Sequence, residues 1–183
     1  MRKSLDRLYG LSGAVAAFSL FMIMLIVFGQ VMLNTIDFIA LHLVGKSYGF
    51  LIPSYAQFSG YALGFTTFLS LGLGFRKAAH IRVTLIETAL KPAARRYTLT
   101  LVAFIGTLLG ALISYSLVDL AWQSWMWGDT ATGLVRLPLW IPQSVLALGA
   151  IVFFISALDT LVDMLRYKQS TALRAIDPVE EVM

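Results

Sequence analysis

The sequence predicts an all-α membrane protein with four transmembrane helices, and three observations predict it. First, four stretches contain no Asp, Glu, Lys or Arg: Leu8 to Ile36, Ser47 to Phe75, Tyr97 to Val118 and Leu137 to Leu158, of 29, 29, 22 and 22 residues. An apolar helix needs about 20 residues to cross a hydrocarbon core of about 30 Å, so each stretch can span once and none can span twice. Second, hydrophobic residues make up 58% of the chain and charged ones 13%, against roughly 25% charged in an average soluble domain. With a mean hydropathy of +0.80, a water-soluble fold could not hide this much apolar surface. Third, the basic residues are sorted between the gaps. Twelve of the fourteen Lys and Arg are Arg2, Lys3 and Arg7 before the first stretch, Arg76, Lys77, Arg82, Lys91, Arg95 and Arg96 between the second and third, and Arg166, Lys168 and Arg174 after the fourth. Only Lys46 and Arg136 occupy the other two connections. Lys and Arg are retained on the cytoplasmic side, so both termini and the middle connection are expected to be cytoplasmic and the other two loops external. Residues 1–183 thus read as a single four-helix transmembrane domain with spans near 11–33, 53–75, 97–118 and 137–158. The net charge of +4 follows the membrane and is not the footprint of a nucleic-acid partner.

Taken in order, the first stretch follows a basic start as a signal peptide would, but its apolar run far exceeds the usual 7–15 residues and no small-x-small cleavage site follows, so it reads as a retained helix. At its outer end Gln30, Asn34 and Asp37 share one helical face by their spacing. They suit the water interface or a hydrogen-bonded seam against a partner. The connection from Asp37 to Pro53 is too apolar for a simple solvated loop and is expected to extend the helix or lie in the membrane surface. Pro53 suits the first turn of the second helix. Gly60 and Gly64 form one GxxxG and Gly106 and Gly110 another, a spacing that clears one helix face for close backbone approach within the chain or against a partner.

The middle connection carries a second periodicity. Ile81, Leu85, Ile86 and Ala89 share a face, with Arg82, Glu87 and Lys91 largely elsewhere and Pro92 at the end, which predicts a short amphipathic helix along the membrane surface between helices 2 and 3. Arg76, Lys77, His80, Arg82, Lys91, Arg95 and Arg96 would there meet phospholipid headgroups. All four tryptophans, Trp122, Trp125, Trp127 and Trp140, flank the third connection, as an aromatic belt at the outer interface would. Pro138 and Pro142 fit a helix start, and Asp159, Asp163 and Arg166 read as a solvated cytoplasmic end.

Chemistry is conspicuously thin along the chain. Cysteine is absent, which removes disulfides, thiolate metal sites and thiol redox chemistry together. His42 and His80 fall outside the spans, where facing haem ligands would not be. No nucleophile–base pair, phosphate loop or metal-ligand cluster is present, so no catalytic, cofactor or metal residues are assigned. Asp119, at the outer end of the third stretch, is expected at the interface beside Trp122 and Trp125.

The arrangement Gly72-x-Gly74-x-Arg-Lys-x-x-His80-Ile-Arg82-Val after the second span, with Gly133-Leu-Val-Arg136-Leu-Pro138-Leu-Trp140-Ile-Pro142 before the fourth, resembles the small membrane subunit of tripartite ATP-independent periplasmic (TRAP) transporters. The resemblance covers nearly the whole chain; Thr84 departs from it, standing where members often carry Asp. It implies a non-catalytic subunit of the bacterial inner membrane, scaffolding a large multi-span transport subunit to which a periplasmic substrate-binding protein delivers organic acids for sodium-driven uptake. The alternative is a stand-alone four-helix channel or a subunit of a membrane enzyme.

Overall fold

A computed structural model describes residues 2–76 and 92–167. These residues form four helices: α1 (Arg2–Val44), α2 (Tyr55–Arg76), α3 (Pro92–Trp127) and α4 (Trp140–Tyr167). All four are long and apolar enough to cross a membrane. The segment expected to form a surface helix, with Lys77, His80, Ile81, Arg82, Leu85, Ile86 and Lys91, lies outside the described residues.

Three helices run further than the uncharged stretches suggest, because single charges do not end a helix when apolar residues continue beyond them. In α1 the segment Phe38–Val44 stays helical, and the stop comes at Gly45, whose φ of +68° and N–H to Leu41 O (3.1 Å) form a left-handed cap. Helix α3 passes Asp119 and ends at Gly128 (φ +67°), where Asp129 N donates back to Ser124 O at 3.0 Å. Helix α4 carries Asp159 and Asp163 within its regular turns instead of ending before them. Its start does follow the proline signal, with Pro142 in the first turn.

The helices pack in the order α1, α2, α4, α3, with α2 and α4 as the central pair. The central pair is parallel: Gly64 faces Leu146, Gly72 faces Val152, and Arg76 reaches Asp159 and Asp163. Helices α1 and α3 flank it antiparallel, α1 with Ser12 at Leu69 and Gly29 at Ile52, α3 with Gly110 at Phe154 and Ala103 at Met164. Side chains are distributed inversely to a soluble bundle. Buried positions on α1 are Tyr9, Ser12, Ala16, Ser19 and Gln30, and on α3 Ala103, Gly110, Ser114, Ala121 and Ser124, each set falling on a seven-residue repeat of one seam. Large apolar residues such as Phe18, Phe21, Phe28, Phe104 and Leu112 point outward. Small residues inside let backbones approach where lipid gives no hydrophobic drive for association.

Candidate functional site: helix contacts and the two polar ends

Helices α2 and α4 approach each other closely enough for glycine to meet backbone. A Cβ on Gly149 would lie 2.7 Å from the carbonyl carbon of Phe68, and one on Gly72 would lie 2.6 Å from Val152 Cγ1 and 3.2 Å from its backbone oxygen. Across this contact the buried Ser156 hydroxyl donates to Gly72 O at 3.0 Å. Ser12 likewise donates to Leu69 O at 2.6 Å, and Thr66 to Ala16 O at 3.3 Å, so side-chain hydroxyls bridge α1 to α2 as well. Of the glycines singled out by spacing, Gly64 meets Leu146 and Gly110 meets the Phe154 backbone at 3.2 Å. Gly60 and Gly106 face open space. Spacing missed Gly13, packed on Leu73, and Gly149.

At the basic end, Arg76 closes α2 and turns inward. Its Nη1 lies 3.0 Å from Asp159 Oδ2 and donates to Asp163 Oδ2 at 3.4 Å. Asp163 is 5% exposed, Thr160 and Ser156 are fully buried, and Tyr9 of α1 closes the cluster from the other side at 1% exposure. The expected solvated end of α4 is therefore a buried ionic junction. Two carboxylates one turn apart on α4 would repel each other without the guanidinium between them, and Arg is suited to bridge both. Arg76 is thus engaged within the chain. Arg95 and Arg96 fall in the opening turns of α3 at this same end.

At the opposite end the two connections are built against each other. Asp37 accepts hydrogen bonds from the Ser47 hydroxyl (2.7 Å) and from the amides of Tyr48 and Gly49 (2.5 and 3.0 Å). Gln30 accepts from Ile52 N at 2.8 Å and donates to Asn34 Oδ1 at 2.8 Å. The face predicted from Gln30, Asn34 and Asp37 thus pins the chain's own loop. The second loop is a short hairpin, with Ala131 N to Leu137 O and Leu139 N to Asp129 O both at 2.9 Å. Val135 N donates to Ser54 Oγ at 3.2 Å, and Gln57 Nε2 contacts Val135 O at 3.5 Å. Gly133 lies against the Gln57 side chain, leaving no room for a Cβ. Ser54 and Gln57 were not singled out in the sequence, and only their position beside a helix start pointed to them.

Next to this hairpin, Trp122, Trp125 and Trp140 line an apolar groove of about 540 Å³ between α3 and α4, with Val118, Ala121 and Leu148 below. Trp122 and Trp125 meet edge-on at 5.3 Å, and Trp127, 80% exposed, points away. Among the described residues no three His, Asp or Glu side chains gather as a metal site would require.

A family model described as tripartite ATP-independent periplasmic transporters, DctQ component, matches residues 23–167. The chain belongs to this family. A DctQ component is part of a transporter, not an enzyme, and with four apolar helices the chain is a multi-pass membrane protein. No curated protein matches it. Within the DctQ match lie both loops, the whole α2–α4 contact and the Arg76 junction, whereas Tyr9, Ser12 and Gly13 precede it.

Proposed function

We propose that this DctQ component is the non-catalytic small membrane subunit of a sodium-driven TRAP transporter for organic acids in the bacterial inner membrane, where it scaffolds the large transport subunit served by a periplasmic binding protein. The family match over 23–167 carries this reading. A scaffold role is supported by how the helices are held together. Backbone-to-backbone contacts at Gly72 and Gly149, hydroxyl bridges at Ser12, Thr66 and Ser156, and the Arg76 junction fix α1, α2 and α4 to one another. No helix is broken in mid-membrane among the described residues, and such a break is what surrounds a substrate or coupling ion in secondary transporters. The termini and the 77–91 segment would then face the cytoplasm, with Lys77, His80, Arg82 and Lys91 at anionic lipid and Ile81, Leu85 and Ile86 in the membrane surface or on the large subunit. The loops at 45–54 and 128–139 would face the periplasm.

Reconstitution into vesicles tests the proposal. The chain alone should move no carboxylate; together with the co-encoded large subunit and binding protein it should support uptake that requires an inward sodium gradient. Transport by the isolated chain, or full uptake by the large subunit without it, would refute the scaffold role.

A further inference from the structure

One carboxylate stands where a lipid-facing helix should carry none. Asp119 is exposed on α3 and lies about 140–180° round the helix from Gly110, Ser114 and Ala121, the residues that face α4, at 3.6 residues per turn. It therefore points straight away from its own chain. Its depth follows from two independent marks. Asp119 is three residues short of Trp122 and six short of Trp125, about 4.5 and 9 Å inward along the axis at 1.5 Å per residue, and so inward of the interface its neighbouring tryptophans suggest for it. From the other end, Gly110 meets Phe154 while Arg76 meets Asp159 and Asp163, which puts Asp119 about 21–27 Å from the level of Arg76 in a hydrocarbon core of about 30 Å. Both marks place the carboxylate inside the apolar layer, and Asp is too short to reach the headgroups from there.

Among the described residues Asp119 has a single hydrogen-bond partner, Gln123 Nε2 at 2.7 Å, itself exposed. The same outward strip carries Tyr115 and Met126, 75% and 70% exposed, with Leu108 and Leu112 further in. The opposite edge of the molecule differs in kind. The outward side of α1 presents Phe18, Phe21, Leu25 and Phe28, an entirely apolar surface suited to acyl chains, and its one outer acid, Asp37, is already spent on the chain's own loop. An ionised side chain in the apolar layer is stable only against a complementary group, and ionisable residues there face protein and not lipid. We propose that the Tyr115–Asp119–Met126 strip of α3 docks a transmembrane helix of the large subunit that brings a Lys or Arg to Asp119. This rests on the scaffold reading above and adds which edge of the molecule the partner covers.

The test uses the assembled complex in native membranes, with the photoreactive residue p-benzoylphenylalanine in place of Tyr115 or Met126 on α3, or of Phe21 or Phe28 on α1, followed by mass spectrometry of the adducts. Irradiation should join both α3 positions to one helix of the large subunit containing a Lys or Arg within a turn of the adduct, and the α1 positions to lipid. Asp119→Lys should lower recovery of the complex about tenfold, as expected for like charges at a desolvated contact, and Asp119→Asn should lower it less. Adducts from α3 to phospholipid alone, or to a second copy of this chain, would overturn the proposal while leaving co-purification and uptake intact. If the wild-type chains do not associate at all, the scaffold reading falls with it.

Discussion

Arg76 illustrates how a single side chain can stand for two opposite things until its surroundings are known. By position it is the first basic residue after an apolar run and counts towards the cytoplasmic charge excess; in the structure it is the cation between Asp159 and Asp163 on another helix. Those partners lie more than eighty residues away, and no local pattern links them. Removing one member of a buried ionic group costs about 3–5 kcal/mol. Arg76→Ala is therefore expected to lower the thermal stability of the purified protein more than Asp159→Asn, and Arg76→Lys is expected to fall between wild type and Arg76→Ala because an ammonium lacks the planar fork. Equal melting temperatures for Arg76→Ala and wild type in detergent would show the junction to be idle. Asp37 and Gln30 make a second residue-scale case. Their shared face was legible from spacing, but the loop they hold was not, since the acceptors bind backbone amides of Tyr48, Gly49 and Ile52 that any sequence would supply. Asp37→Ala should speed hydrogen exchange at Tyr48 and Gly49 by about tenfold, the worth of a charge-assisted hydrogen bond, with little change at Ile52.

At the scale of the helices, the number and nature of the elements could be read directly from where charge is missing, and the ends could not. Charge patterns locate water, whereas helix ends are set by backbone stops. Gly45 and Gly128 provide those stops beyond Asp37 and Asp119. Helix contacts were half legible for a related reason. A GxxxG repeat identifies a smooth face, but which glycine is pressed depends on what stands opposite at that height. Gly64 and Gly110 meet α4, while Gly60 and Gly106, in the same repeats, meet nothing among the described residues. Gly149, which is pressed most closely against the backbone of another helix, has no GxxxG partner within α4 and gains its role because Phe68 of α2 crosses there. This gives a contrast within one chain. Gly149→Val and Gly72→Leu should each destabilise by on the order of 1–3 kcal/mol or more, since Phe68 backbone stands in the way of the first and the stiff Val152 side chain, with its backbone behind it, in the way of the second. Gly60→Leu should leave the stability of the isolated chain unchanged. A comparable loss at Gly60 in the isolated chain would contradict this packing; a loss seen only in the complex would place Gly60 at the partner.

For the molecule as a whole, the spatial order α1, α2, α4, α3 is what no periodicity announces. Each helix alternates direction with its predecessor, so the parallel neighbours must be non-consecutive, and it is Gly72, Gly149 and Ser156 that select α2 with α4. One consequence is that both short connections sit at a single end and are tied together through Ser54, Gln57 and Val135. The other end collects Arg76 and the start of α3. The sidedness of these ends relative to the membrane follows from charge: twelve of fourteen basic residues belong to the Arg76 end or to the segments continuous with it, and that end should be held in the cytoplasm. Because the chain has no cysteine, single cysteines report topology without background. In intact cells an impermeant maleimide should label Lys46→Cys and Thr130→Cys, and should reach Ala93→Cys and Thr171→Cys only after the membrane is opened. The linked loops add a stricter requirement, that Lys46→Cys and Thr130→Cys label from the same side in every preparation. Labelling of Ala93→Cys from outside would invert the orientation, and opposite-sided labelling of the two loops would break the fold itself.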